Sequence, residues 1–124
     1  MKKIIAIVTV LLLTAGLALA QSGPKFKFKD TDLTHDFGKV KKGSTAEYYF
    51  EFTNTGDKPI VITNVSTSCQ CTTPEWNKKP ILPGKSDKIK VGYKTDKTGP
   101  INRSMTVTSN AGDVDLKIKG EVID

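Results

Sequence analysis

The chain has 124 residues, with 19 basic and 13 acidic side chains, a net charge of +6 and two cysteines. That length holds one domain of ordinary size and leaves little room for a second domain or a large catalytic cleft. Two cysteines exclude the multi-bridge framework that holds many small secreted folds together.

Met1-Lys2-Lys3 is followed by an uncharged stretch from Ile4 to Ala20 that ends Ala18-Leu19-Ala20. A basic start, an apolar middle and small residues at the end predict a secretory signal peptide over residues 1–20. A single domain over 21–124 remains. The alternative is an uncleaved anchor, since the 17 uncharged residues reach the lower bound of a membrane span; only then does the protein contact a membrane. Export, to the periplasm or beyond the cell, places both thiols where they can oxidise.

From Gln21 onward there are 27 Val, Ile and Thr residues against 2 Ala and 3 Leu. β-branched side chains favour strands, and Ala and Leu favour helices. Phe26 and Phe28 alternate with Lys25, Lys27 and Lys29, which predicts a strand with one apolar face. Asp36-Phe37-Gly38 through Val40 reads as a short extended segment closed by Lys41-Lys42-Gly43. In Thr45–Thr53, Ala46, Tyr48, Phe50 and Phe52 take one face, and Glu47, Tyr49 and Glu51 the other. Asn54 to Pro59 is a loop by its turn residues.

Ile60 to Cys71 reads as one long extended run, and Pro74 to Gly84, with three prolines and the single Trp, as an ordered loop. Lys88–Lys94 alternates with Ile89, Val91 and Tyr93 inward. Thr95–Pro100 is a turn. Ile101, Met105 and Val107 mark the next strand, Asn110-Ala111-Gly112 a hairpin turn, and Val114, Leu116 and Ile118 the last strand. About seven short strands with no helix predict an all-β, immunoglobulin-like sandwich. Phe50, Phe52, Ile62, Val91, Val107, Leu116 and Ile118 are the expected core. Cys69 and Cys71 are too close in sequence to bridge two sheets, so that core must hold by packing.

Several motifs occur in a fixed order: Asp36-Phe37-Gly38; Phe50-x-Phe52-x-Asn54-x-Gly56-x-x-Pro59-Ile60-x-Ile62; Ser68-Cys69-Gln70-Cys71-Thr72; Pro80-Ile81-x-Pro83-Gly84; and Ile89-x-Val91-x-Tyr93. Together they resemble the bacterial family called domain of unknown function 1573, over residues 30–120. The resemblance implies an exported Ig-like sandwich, similar in fold to the Hydin and major-sperm-protein group, with no established activity. That family usually carries glycine between its cysteines where this chain has Gln70. Without glycine a tight or left-handed turn is disfavoured and an extended backbone is expected.

Cys69 and Cys71 are the one constellation that bears chemistry. In an extended strand both side chains share a face, with Cα atoms about 6.5 Å apart. Three readings stand: a structural pair of thiols or a disulfide, a soft-metal site for Cu(I) or Zn(II), and a redox pair. A closed metal site needs about four ligands. The chain offers only His35 and Met105 as further soft donors, so a complete site requires a second chain. A redox pair would lack the helix N-terminus that activates thiols in thioredoxin-type scaffolds.

His35 and Asp36 are neighbours and point to opposite faces of a strand, so they do not form a catalytic dyad. No nucleophile elbow and no phosphate-cradling loop are present, and no catalytic residue is assigned. The lysines interleaved with Phe26 and Phe28 read as protection of an edge strand rather than a nucleic-acid platform. Asn64-Val65-Ser66 and Asn102-Arg103-Ser104 match the glycosylation pattern without consequence in a bacterial chain. Trp76 is expected to cap one end of the sandwich with its N–H on a carbonyl, or to anchor a partner.

The expected function is a non-enzymatic binding or envelope-assembly module for a protein or envelope partner, with no cofactor. The alternative is a periplasmic metal-binding or thiol-redox protein. Export predicts a mature N-terminus at Gln21: intact-mass measurement of protein recovered from the envelope should show the loss of residues 1–20, and a full-length, membrane-held chain would establish the anchor instead.

Overall fold

The computed structural model describes residues 23–124, so the expected signal sequence and its junction at Gln21 lie outside the described residues. Eight strands form: β1 (Phe26–Phe28), β2 (Thr34–Lys41), β3 (Ala46–Asn54), β4 (Ile62–Thr67), β5 (Thr72–Trp76), β6 (Ser86–Tyr93), β7 (Gly99–Ser109) and β8 (Gly112–Ile123). They make two four-stranded sheets, β1-β3-β6-β5 and β2-β8-β7-β4. All pairs are antiparallel except β2 on β8, which is parallel and bulged between Asp36 and Lys39. This is the expected all-β sandwich, with eight strands rather than seven.

Strand alternation places the core between the sheets. Phe50, Val91, Val107, Leu116 and Ile118 are fully buried, and Phe52 and Ile62 nearly so. The opposite face of β3, Glu47, Tyr49 and Glu51, is exposed. Phe26 and Phe28 turn inward onto Phe52, with ring centroids 5.0 and 5.6 Å away, while Lys25, Lys27 and Lys29 face solvent. The β7–β8 hairpin turns where expected, and Gly112 takes φ 98°, a conformation that costs other residues energy.

Two expectations fail in one region. The extra strand, β5, begins at Thr72 and runs into the segment from Pro74 to Gly84 that reads as a loop. Its register explains why a proline is tolerated there. The Lys94 N–H donates to the Cys71 carbonyl at 2.9 Å, so residues 71, 73 and 75 bond to β6 and Pro74 faces away from it. On an edge strand that outward slot needs no N–H. The run from Ile60 to Cys71 is likewise broken. Only Ile62–Thr67 is strand, Ile60 bridges Ile81, and Ser68–Cys71 carries the chain from one sheet to the other.

Asn54, read from sequence as the start of a loop, is completely buried. Its side-chain amide donates to the Lys58 carbonyl at 2.8 Å and the Ile81 carbonyl at 3.0 Å. Its oxygen accepts from Gly56 N–H at 2.9 Å and Lys25 N–H at 3.3 Å. All four amide valences are thereby used, as burial demands. The N-terminal segment is drawn so close that a Cβ on Gly56 would lie 1.9 Å from the Gly23 carbonyl oxygen, which only glycine avoids.

Phe50→Ala should cost about 3–5 kcal/mol through the cavity it leaves. Asn54→Ala should cost at least about 2 kcal/mol, because buried groups lose their partners. Glu51→Ala, on the solvent face, should stay within about 0.5 kcal/mol. Urea unfolding of the three variants checks the register: equal losses at positions 50 and 51 would contradict it.

Candidate functional site

The sheets stack with β2 against β3 along one side, where β1 and β2 are the edge strands, and β4 against β5 along the other. The chain crosses between the sheets five times, and the β1–β2 and β4–β5 crossings gather chemically distinctive side chains.

On the β4–β5 side the crossing carries Cys69 and Cys71. Stacked sheets lie about 10 Å apart, and the chain spans that gap between Thr67 and Thr72. It cannot do so extended along either sheet, so it turns. The turn brings the Cα atoms to 5.3 Å, and the two sulfurs are joined in a disulfide. This corrects the expectation of an extended Cys-Gln-Cys backbone. Gln70 turns without a left-handed conformation, since Leu33 is the only non-glycine residue with positive φ among the described residues. A turn at this corner therefore does not require glycine.

Both cysteines are half-buried, and the backbone on each side of the bond is held. Thr67 Oγ1 donates to the Cys69 carbonyl at 3.0 Å, and the Lys94 N–H holds that of Cys71. The Thr72 hydroxyl lies 3.7 Å from Cys69 Sγ and 3.8 Å from Cys71 Sγ. Thr72 is only 5% exposed, and among the described residues these sulfurs are its side chain's only hydrogen-bonding neighbours.

Of the other soft donors, Met105 pairs with Thr67 beside this corner, and His35 stands apart from it. Met105 is buried in the core at 1% exposure. His35 lies on β2, three strands across the sheet from β4, or about 14 Å at the usual strand spacing. No group of three or more His, Cys, Asp or Glu positioned to hold a metal occurs among the described residues. Cu(I) or Zn(II) on Cys69 and Cys71 would need the disulfide opened and ligands from a second chain.

On the β1–β2 side, His35 turns inward and stacks on Tyr48, with ring centroids 3.6 Å apart and planes within 8°, while Asp36 is exposed. Tyr48 donates its hydroxyl to Asp30 Oδ2 at 2.7 Å. That bond, reinforced by burial, pushes the phenol pKa up to about 12. Burial lowers the His35 pKa, against the opposing pull of Asp30 and Asp36. The alternation of β3 places Tyr48 inward, but sequence alone does not show that it meets His35.

Trp76 is the last residue of β5. It is half-buried on edge strand β5 and packs on the core. Its Nε1 is buried without a hydrogen-bond partner, contrary to the expected carbonyl contact. The Lys78 ammonium lies 5.8 Å from the ring centroid. The outer face of the β1-β3-β6-β5 sheet is laced with charge. Lys90 approaches Glu47 at 3.5 Å and Glu75 at 3.9 Å, and Lys29 approaches Glu51 at 3.7 Å. At its centre Tyr49 is 42% exposed, with the Lys88 ammonium 4.6 Å from its ring centroid. Beside it runs an open groove of about 710 Å³ whose charged groups are Lys27, Lys29, Glu51, Asp87 and Lys88.

A histidine pKa lowered by folding means that the unfolded chain takes up the proton more readily. The stability from neutral His35 is therefore present above its ordinary value of 6.5 and is lost as pH falls below that through the folded value. The urea midpoint should drop between about pH 7.5 and about pH 5.5, and His35→Gln should flatten that drop. Identical slopes in the two proteins would remove His35 as its cause.

Solved structures share this architecture. A protein of unknown function from Porphyromonas gingivalis W83 matches with a TM-score of 0.70 at 19% identity, over 82% of this chain and 48% of its own. The ASH / PapD-like domain 7 of human CEP192 gives a TM-score of 0.66 at 11% identity, over 84% of this chain and 87% of its own. The secreted serine protease VesC from Vibrio cholerae gives 0.57 at 18% identity, over 87% of this chain and 25% of its own. The chain thus spans about half of the Porphyromonas protein and a quarter of the protease, and at these identities the likeness shows the fold alone. No curated protein matches the chain. A family profile matches residues 26–122, nearly the whole of the two-sheet domain, and the chain belongs to that family, described as proteins of unknown function, DUF1573.

Proposed function

We propose that the protein is an exported, non-enzymatic Ig-like module that works by surface contact in the cell envelope. The observation that carries this reading is the outer face of the β1-β3-β6-β5 sheet. An aromatic ring stands exposed at its centre with a lysine over it, beside a groove lined by charges of both signs. Small-molecule pockets are mostly apolar and enclosed. A charged open face with one tyrosine suits a polar macromolecular partner, because tyrosine supplies rigid contact area at low entropy cost. The signal-like start of the chain and the secreted protein among its structural neighbours support the envelope as its place. Among the readings of the cysteines, the joined sulfurs favour thiol–disulfide chemistry over a soft-metal site, as an addition to the binding role.

The test is native size. Protein released from envelopes with mild detergent should elute as a complex, and Tyr49→Ala combined with Lys88→Glu should elute as the free chain. Both substitutions lie on the solvent face, so the melting temperature should be nearly unchanged. A wild-type protein that elutes as the free chain, or a double variant that stays in the complex, would overturn this reading.

A further inference from the structure

We infer that the Cys69–Cys71 disulfide is an exchangeable bond that accepts electrons from a thiol, and that Thr72 is its positioning residue. The inference rests on the thiol–disulfide reading and is independent of the surface-contact role.

Three features of the corner carry it. Both cysteines are half-buried rather than enclosed, so an external thiolate can reach a sulfur. The bond closes a ring across a sequence separation of two. Opening it therefore releases little chain entropy, and the corner is held in either state by Thr67 on the Cys69 carbonyl and Lys94 N–H on that of Cys71. The third feature is the buried Thr72 hydroxyl, which faces both sulfurs at nearly equal distance. A disulfide sulfur is a weak acceptor, so this donor is poorly used while the bond is intact. A thiolate is a charged acceptor, and hydrogen bonds to charged groups are about twice as strong as neutral ones. The hydroxyl therefore stabilises the sulfur that departs more than the intact bond, which is the requirement for accelerating exchange.

The step balances within the two partners. An external thiolate, RS⁻, attacks one sulfur and the Cys69–Cys71 bond breaks. A mixed disulfide forms between R and that cysteine, and the other cysteine leaves as a thiolate that accepts a hydrogen bond from the Thr72 hydroxyl. A second RS⁻ attacks the sulfur of R in the mixed disulfide and displaces the first cysteine as a thiolate. The products are RSSR and the dithiol of Cys69 and Cys71, protonated from water. Two thiols are oxidised and one disulfide is reduced. The substrate class is a thiol, from either a small molecule or a cysteine-containing polypeptide.

The experiment exposes the oxidised, exported protein to millimolar reduced glutathione and, separately, to a reduced, unfolded cysteine peptide. Intact mass after acid quench follows mixed-disulfide and dithiol formation, and circular dichroism follows the fold. Wild-type protein should open with the sandwich intact. Thr72→Val should slow opening about tenfold, the size of one charge-assisted hydrogen bond. Thr72→Ala should do the same, and Thr72→Ser should restore the wild-type rate. Faster opening by the peptide assigns a polypeptide thiol as substrate, and equal or slower opening assigns a small one. A wild-type disulfide that opens only on unfolding, or hydroxyl-free folded variants that exchange at the wild-type rate, would overturn the inference. Neither result bears on the elution test of the surface-contact reading.

Discussion

One buried amide holds the end of this sandwich together. Asn54 sits at the last position of β3, opposite Phe26 of β1. Its side chain holds the N-terminal segment, the turn through Gly56 and Lys58, and the Ile81 carbonyl at once. Its backbone adds the Lys85 carbonyl and the Gly84 N–H. Ile81 in turn exchanges both backbone hydrogen bonds with Ile60, which sets where β4 begins. A buried network of this kind specifies one geometry because each unmet group would carry a full desolvation cost. The Gly56 approach follows from it: the N-terminal segment can dock only where no side chain intervenes.

Two of the five crossings between the sheets answer the same geometric demand with different chemistry. Each must pass between stacked sheets within a few residues. On the β1–β2 side the crossing is filled by His35 on Tyr48, with Asp30 on the phenol. Aromatic stacking and a charge-assisted hydrogen bond close that side, where partial burial lowers the His35 pKa. On the β4–β5 side the crossing is tightened by a covalent bond between residues 69 and 71. A bond across so short a separation adds little to the stability of the whole fold. Its consequence is local: it leaves two sulfurs at a fixed, half-exposed corner with a buried hydroxyl beside them. The edge strands that flank it are blunted by other means, such as the outward Pro74 of β5.

Much of this was legible in the amino-acid order. β-branched residues in alternation, with few helix formers, determined an all-β chain, and the alternation of β3, β6 and β8 identified the buried face because a strand's period of two leaves no freedom once one face is apolar. The family was also readable, since it rests on ordered local residue patterns. What sequence could not decide were matters of long-range pairing. Proline in Thr72–Trp76 argues against a strand until the register shows its nitrogen facing outward. Asn54 carries the turn chemistry of a loop residue, and only its four partners, up to 29 positions away, make it a buried anchor. In an extended strand Thr72 would face away from Cys71. The passage between sheets forces the turn that lays its hydroxyl against both sulfurs, and that passage is set by which strands lie at the sheet edges, a property of the whole fold and of no local segment.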